Sequence, residues 1–296
     1  METELITPKE LETQLKRSAD LVLDALQNGK TWKARIDEAH ATFTKLAKFE
    51  GLKKAPKLFS EEISKLQKDE KVTMGLPLLP ATRSNVANLC AFSDSCANDC
   101  VAFSGNGSYE SVLKTRQLKT ELLAFSSVNF LTLLTEELFK AVSKHGAQNL
   151  AVRLNTYSDI RWERVAPWLF ELFAGVQFYD YTKHTPTSRP AETIPANYHL
   201  TYSVSERTTL RTLQNCKDIG RPLAVVVEIR SGKLPGKSFM REIPTTWGGM
   251  QTIDGDSSDA RYLAPQNSVT ILRRKHTMKP NHAMIASAAK LERKLK

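Results

Sequence analysis

Cysteine is scarce in this chain, with four in 296 residues. Long apolar runs are absent, and none approaches the ~20 residues that a membrane-crossing helix needs. Residues 1–16 are acidic and polar, where a secretory signal would be basic and then apolar. The chain has no Gly-x4-Gly-Lys-[Ser/Thr] phosphate loop, no Gly-x-Gly-x-x-Gly turn and no Gly-x-Ser-x-Gly elbow. Without a His-x-Glu pattern matched to Pro-Cys-x-x-Cys, it also lacks the zinc deaminase signature. The histidines stand singly, and there is neither an internal repeat nor a low-complexity tract. These absences predict a cytoplasmic protein in a reducing compartment, with no membrane partner.

Against that scarcity, three of the four cysteines fall within eleven residues, as Cys90-x5-Cys96-x3-Cys100. In a reducing compartment such a cluster reads as ligands of one metal centre rather than as disulfide partners. A structural zinc site takes four protein ligands. The candidates for a fourth, Cys216, His184 and His199, are distant in sequence and have no neighbouring ligand. A [4Fe-4S] cluster held by three thiolates leaves one iron open and needs no local fourth ligand. The spacing therefore points first to an iron–sulfur cluster at Cys90, Cys96 and Cys100, with zinc or three unrelated core cysteines as the alternatives.

Hydrophobic periodicity divides the chain into three parts. Residues 1–72 read as a helical N-terminal segment: Thr7-Pro8 starts a helix with Leu11, Leu15, Ala19, Val22 and Leu26 on one face, and further helices are expected over 31–49 and 60–68. Residues 73–276 form an α/β domain, with one or two long helices over 108–145 and strands at 150–155, 176–181, 198–203, 223–229 and 269–272. Helix-compatible stretches at 162–174 and 205–215 separate them. Residues 277–296 form a basic tail that carries much of the +10 net charge and could contact nucleic acid phosphates or simply be solvated.

The strands alternate. Val152 and Leu154, Val176 and Phe178, Tyr198 and Leu200, and Val225 and Val227 are apolar, while the intervening residues are largely polar. One polar face predicts a ligand-holding cavity, such as the lumen of a partial or distorted βα (TIM-like) barrel; an antiparallel sheet with one face in water is the alternative. In βα folds, site residues gather at the carboxyl ends of strands. Asn155, Asp159, Asp180, Lys183, Ser203 and Glu206 occupy those ends and are the candidates to hold a small-molecule cofactor or substrate. Some of them could instead cap the helices that follow. Asp254, Asp256 and Asp259 form a further cluster, read as an Asx turn before a cation site.

Five ordered segments carry a resemblance: Asn88-Leu-Cys-Ala-Phe-Ser-x-x-Cys-x-x-x-Cys-Val-x-x-Ser-Gly-x-Gly107, Arg153-Leu-Asn-x-x-Ser-Asp159, Gln177-Phe-Tyr-Asp-Tyr-Thr-Lys183, Asn197-Tyr-His-Leu-Thr-Tyr-Ser-x-Ser-Glu206 and Ile253-Asp-Gly-Asp-x-x-Asp-x-Arg-Tyr-Leu263. Together they resemble the phage "gene product 88" family over residues 74–276. That resemblance implies a setting inside the infected bacterial cell and no particular reaction. The cysteine loop is similar in kind to that of radical S-adenosylmethionine enzymes, although those use Cys-x3-Cys-x-x-Cys and a Gly-Gly-Glu segment that this chain lacks. It implies an open-site cluster with S-adenosylmethionine as the small molecule. The other two expectations are a zinc-stabilised nucleic-acid-binding protein and a non-enzymatic inhibitor of a host protein.

Overall fold

The computed structural model describes residues 4–61, 71–228, 242–275, 278 and 282–295. Helix α1 (Pro8–Leu26) begins as the sequence predicts, with Pro8 supplying a preset φ. Thr7 and Glu10 close a reciprocal capping box: the Glu10 carboxylate accepts the Thr7 N–H at 2.9 Å, and the Thr7 hydroxyl accepts the Glu10 N–H at 3.3 Å. Asn28 caps α2 (Gly29–Phe49) by accepting two backbone N–H groups. The long helical stretch resolves into α3 (Glu110–Phe125) and α4 (Ser127–His145), which bend by 120° at Ser126. No single helix among the described residues is long and apolar enough to cross a membrane.

The strands are β1 (Ser60–Glu61), β2 (Val72–Gly75), β3 (Leu150–Arg153), β4 (Gln177–Thr182), β5 (Tyr198–Ser203), β6 (Leu223–Val227), β7 (Thr246–Trp247), β8 (Met250–Asp254) and β9 (Val269–Arg273). They form one sheet in the order β1-β2-β3-β4-β5-β6-β9-β8-β7. Every pair from β2 to β8 is parallel, and only the two-residue edge strands β1 and β7 run antiparallel. The remaining helices are α5 (Trp162–Val165), α6 (Pro167–Leu172), α7 (Leu210–Asp218) and α8 (Ala283–Leu295).

All five strand expectations hold to within two residues where they are described; Ile229 lies outside the described residues. Several elements differ, for identifiable reasons. The helix expected from Ser60 is not formed at its start: Ser60 and Glu61 pair with Gly75 and Met74, and 62–68 lie outside the described residues. The Glu137 carboxylate pins the preceding turn by accepting the N–H groups of Leu58 (2.7 Å) and Phe59 (3.0 Å). The helix expected over 162–174 breaks at Ala166, because Pro167 has no N–H to continue the ladder. Strand β2, hidden in the short Val-Thr-Met-Gly run, opens the parallel sheet.

Side-chain alternation sorts the two faces of the sheet as predicted. Met74, Val152, Leu154, Phe178, Tyr198 and Leu200 join one apolar core with α1 to α6; Tyr202, Val225, Val227, Val269 and Ile271 join a second with α7 and α8. The opposite face carries Thr73, Arg153, Tyr179, Thr201 and Thr270, all buried. A sheet with one face in water is therefore ruled out. Arg153 on β3 meets Asp259, five residues beyond β8, at 3.3 Å. Five inter-strand steps separate those strands, about 24 Å in a flat sheet at ~4.8 Å per step. The sheet must curl its polar face inward, although it does not close.

The N-terminal helices are part of this core. Leu11, Leu15, Val22 and Phe43 are buried in the same cluster as the strands. Helix α8 likewise buries Met284, Ala288 and Leu291, while Lys290, Arg293 and Lys294 face outward. The basic tail therefore packs on the sheet over its described residues; 277, 279–281 and 296 lie outside them. Replacing Leu15 with alanine is expected to cost about 3 kcal/mol in urea unfolding, as for a buried leucine. Lys16→Ala should stay within about 0.5 kcal/mol, as for a surface site. Equal effects would remove α1 from the cooperative core.

Candidate functional site

A cavity of about 590 Å³ opens at the carboxyl ends of the parallel strands. All three clustered cysteines line it, together with Arg153, Tyr157, Asp159, Tyr181, Lys183 and Ser203. The cysteine loop follows β2 and crosses the strand ends before entering α3. Its shape depends on unusual backbone at Ala81, Asn85 and Asp94, each with positive φ. Gly107 is required for space: a Cβ there would sit 2.3 Å from the Ala102 carbonyl oxygen. Arg116 gathers the same carbonyl at 2.6 Å and lies over the Tyr157 ring.

Three other elements hold the loop. From the turn after β5, Glu206 accepts the Ser95 N–H at 2.8 Å and Arg207 forms a forked ion pair with Asp94. From the start of α8, His282 reaches the Ser95 carbonyl at 3.3 Å and Asp99 at 3.5 Å. Asp159 ties in from the turn after β3: its N–H donates to the Leu89 carbonyl, and its carboxylate accepts the Lys183 N–H at 2.8 Å.

The thiols have distinct environments. Cys90 donates to the Tyr157 carbonyl and accepts the Ala81 N–H, both at 3.4 Å. Burial pushes its pKa up to about 12. Cys96 is lowered to about 5, chiefly by the Cys100 thiol that donates to it and then, against its burial, by the Lys183 ammonium. Cys100 is raised by the same hydrogen bond and by burial, and accepts the Ala102 N–H. Cys96 is thus the most acidic thiol of the three. Lys183 is half-buried; the charges of Cys96 and Asp159 outweigh its desolvation and raise its pKa.

The six strand-end candidates separate into three kinds. Asp159, Lys183 and Ser203 line the cavity. Asn155 borders it, but its amide is consumed internally: its oxygen accepts from Ser158, Ile160 and Trp162, and its NH2 donates to the Ile160 carbonyl and Tyr198. Asp180 and Glu206 do not line it. Asp180 lies on the helix-packed face, accepts from the Asn155 N–H (2.9 Å) and the Tyr198 hydroxyl (2.8 Å), and is raised to about 7 by burial. Glu206 serves as the clamp on the cysteine loop. Asp180 faces the helices because alternate positions of β4 face opposite sides, whereas Glu206 lies in the turn three residues beyond β5 and is drawn to the Ser95 N–H.

Of the proposed fourth ligands, Cys216 is buried in the second apolar core and His184 packs edge-on against Phe92 at 4.9 Å. His199 sits a layer below on β5, kept neutral by burial with a pKa of about 4. Among the described residues, no three His, Cys, Asp or Glu side chains are arranged as ligands of a single ion. The Asp254 cluster is an Asx turn, as read: the Asp256 N–H donates to the Asp254 carboxylate at 2.9 Å. Arg273 and Lys275 pair with its acids. Sequence reading missed His282, taken as part of a solvated tail, and the aromatic lining of Tyr157 and Tyr181.

Fold and site together define an α/β protein with a thiol-bearing loop over a cavity at the carboxyl ends of a curled, mainly parallel sheet. The chain belongs to the Gene product 88 family, whose model matches residues 46–294. That match begins within α2 and takes in α8, so it extends beyond the five segments of the resemblance at both ends. No curated protein and no solved structure matches the chain.

The thiol assignment makes a chemical prediction. In metal-free reduced protein, iodoacetamide should alkylate Cys96 ahead of Cys90 and Cys100, because the thiolate is the nucleophile. Its rate should be flat at neutral pH and fall as pH drops through about 5. Mass spectrometry of tryptic peptides locates the label; preferential labelling of Cys90 would contradict the assignment.

Proposed function

We propose that this protein is an iron–sulfur protein in which Cys90, Cys96 and Cys100 hold a [4Fe-4S] cluster at the mouth of a partial βα barrel, with radical-SAM-like chemistry as its activity. The observation that carries this reading is the convergence of all three thiols on one wall of the cavity. The surroundings suit the group. Backbone N–H groups of Ala81 and Ala102 point at two of the sulfurs, as they do in proteins that stabilise anionic clusters. Lys183 places a half-buried cation beside the third. A cluster spreads its ligating thiolates over several irons, so it does not ask them to converge on one point as zinc does.

When bound, such a cluster supplies one-electron chemistry and an iron open to an outside ligand. The chain's own residues do the rest. Glu206, Arg207 and His282 fix the loop, so the cysteines are presented with little freedom to reorganise. Phe92, Met278 and Met284 give the cavity an apolar rim that limits water. Ser203 and Lys183 present polar groups to a small molecule inside, with S-adenosylmethionine as the candidate that suits an open iron. The cavity is of the size that holds such a ligand.

Anaerobic purification should yield brown protein absorbing near 400 nm, with about four irons and four sulfides per chain. Cys90→Ala, Cys96→Ala and Cys100→Ala should each lose most of that iron. Iron-free protein would sink the proposal, and stoichiometric zinc with salt-sensitive DNA binding would replace it by the nucleic-acid reading. Reduction with dithionite in the presence of S-adenosylmethionine tests the finer activity: release of 5′-deoxyadenosine is expected, and none would leave an iron–sulfur protein without it.

A further inference from the structure

Beneath the thiols, the inner face of the sheet buries more cationic hydrogen-bonding capacity than it uses. Arg153 projects from the end of β3 into the cavity and is only 7% exposed. The Arg153 guanidinium carries five N–H donors. Among the described residues it makes one hydrogen bond, from Nη1 to the Asp259 carboxylate at 3.3 Å, and its buried Nε has no partner there. The rings of Tyr179 and Tyr181, with centroids 5.7 and 5.5 Å away, flank it and fix its plane.

Its counter-charge is shared. Asp259 also faces Arg261 at 3.4 Å, so one partly exposed carboxylate serves two buried guanidinium groups. Asp180 adds an attractive field from the far side of the sheet, but its oxygens accept from Asn155 and Tyr198. Arg261 is otherwise engaged, donating to the Tyr181 hydroxyl and the Gly255 carbonyl. Of the two arginines that share Asp259, Arg153 is the one with buried donor capacity unmet among the described residues. A buried arginine costs several kcal/mol in desolvation unless its fork is met, and a planar or tetrahedral oxyanion meets it with two parallel bonds. Thr156, at the end of the same strand, adds a buried hydroxyl without a partner at the cavity wall.

We infer that Arg153 is the centre of an oxyanion-binding subsite on the cavity floor, taking a carboxylate or phosphate group of the molecule that occupies the cavity. Asp259 is its resident counter-ion, displaced or shared when the ligand's anion arrives. This subsite shares its cavity with the thiols, and its evidence lies in the unmet fork of Arg153 and not in the cysteines.

The test measures thermal stabilisation of the full-length, anaerobically purified protein by inorganic phosphate and by glutarate, with sodium chloride as the ionic-strength control and iron content recorded in parallel. Saturable stabilisation by at least one of the two probes is expected, and the better probe identifies the acid group. Arg153→Gln should weaken that binding at least tenfold, and Arg153→Lys, which keeps charge but loses the fork, by an intermediate factor. Asp259→Asn should tighten it several-fold, because the competing carboxylate is gone; a purely structural ion pair would give a less stable protein with unchanged binding. The Asp259 variant keeps the test decisive if the Arg153 variants do not fold. No stabilisation by either probe beyond the chloride control, or unchanged binding in Asp259→Asn, would overturn the inference. Iron-free protein that still binds the anion would sink the cluster proposal and leave this one standing.

Discussion

The handedness of the βα crossover governs this molecule. Parallel strands joined through a crossover are almost always connected in the right-handed sense. Here β2 to β6 follow one another across the sheet in chain order without reversal. Stepping in one direction with one hand puts every covering helix on the same face. The other face is left without helices and cannot be apolar unless something else covers it. It carries threonines, tyrosines and Arg153, and curls on itself. The cavity is thus a consequence of strand order before it is a property of any side chain.

Charge is handled differently on the two faces. On the helix-packed side, buried ionic groups are paired: Glu163 and Arg189 form a two-point fork at 2.9 and 2.6 Å, and Tyr198 joins Arg189 to Asp180. That network ties the turn after β4 to α5, with Arg189 Nη1 near Asp159 at 3.5 Å but without a hydrogen bond among the described residues. On the cavity side, hydroxyls of Thr73, Thr201 and Thr270 and the imidazole Nε2 of His199 are buried without partners among the described residues. Unmet polar groups in a folded interior are costly, and they concentrate where a protein meets water or a ligand. The cavity face thus combines unmet hydroxyls with open space, whereas the helix-packed face is filled by this network and by apolar side chains.

Much of this was legible in the sequence because it rests on period-two alternation, which is local. Val152 with Leu154, and Tyr198 with Leu200, announce both a strand and its inward face. The cysteine spacing announces a loop on which thiols gather. Other features depend on distant partners and leave no local trace. Nothing around Glu206 signals that its carboxylate will meet Ser95, 111 residues away. Asp180 and Lys183 sit three apart on neighbouring positions of one segment, yet one faces the helices and the other the cavity, as an odd offset on a strand dictates. Strand β2 is too short to display a period, and the break at Ala166 is set by Pro167 rather than by hydrophobicity.

The reach of His282 to Ser95 spans 187 residues of chain. Met284, one helical step further, supplies part of the cavity wall. During synthesis the cysteine loop therefore emerges and waits, with the sheet half built and one of its walls still untranslated. The α8 wall of the cavity is in place only after His282 and Met284 have been made and packed against the loop, so the cysteines are synthesised well before the cavity they line is complete.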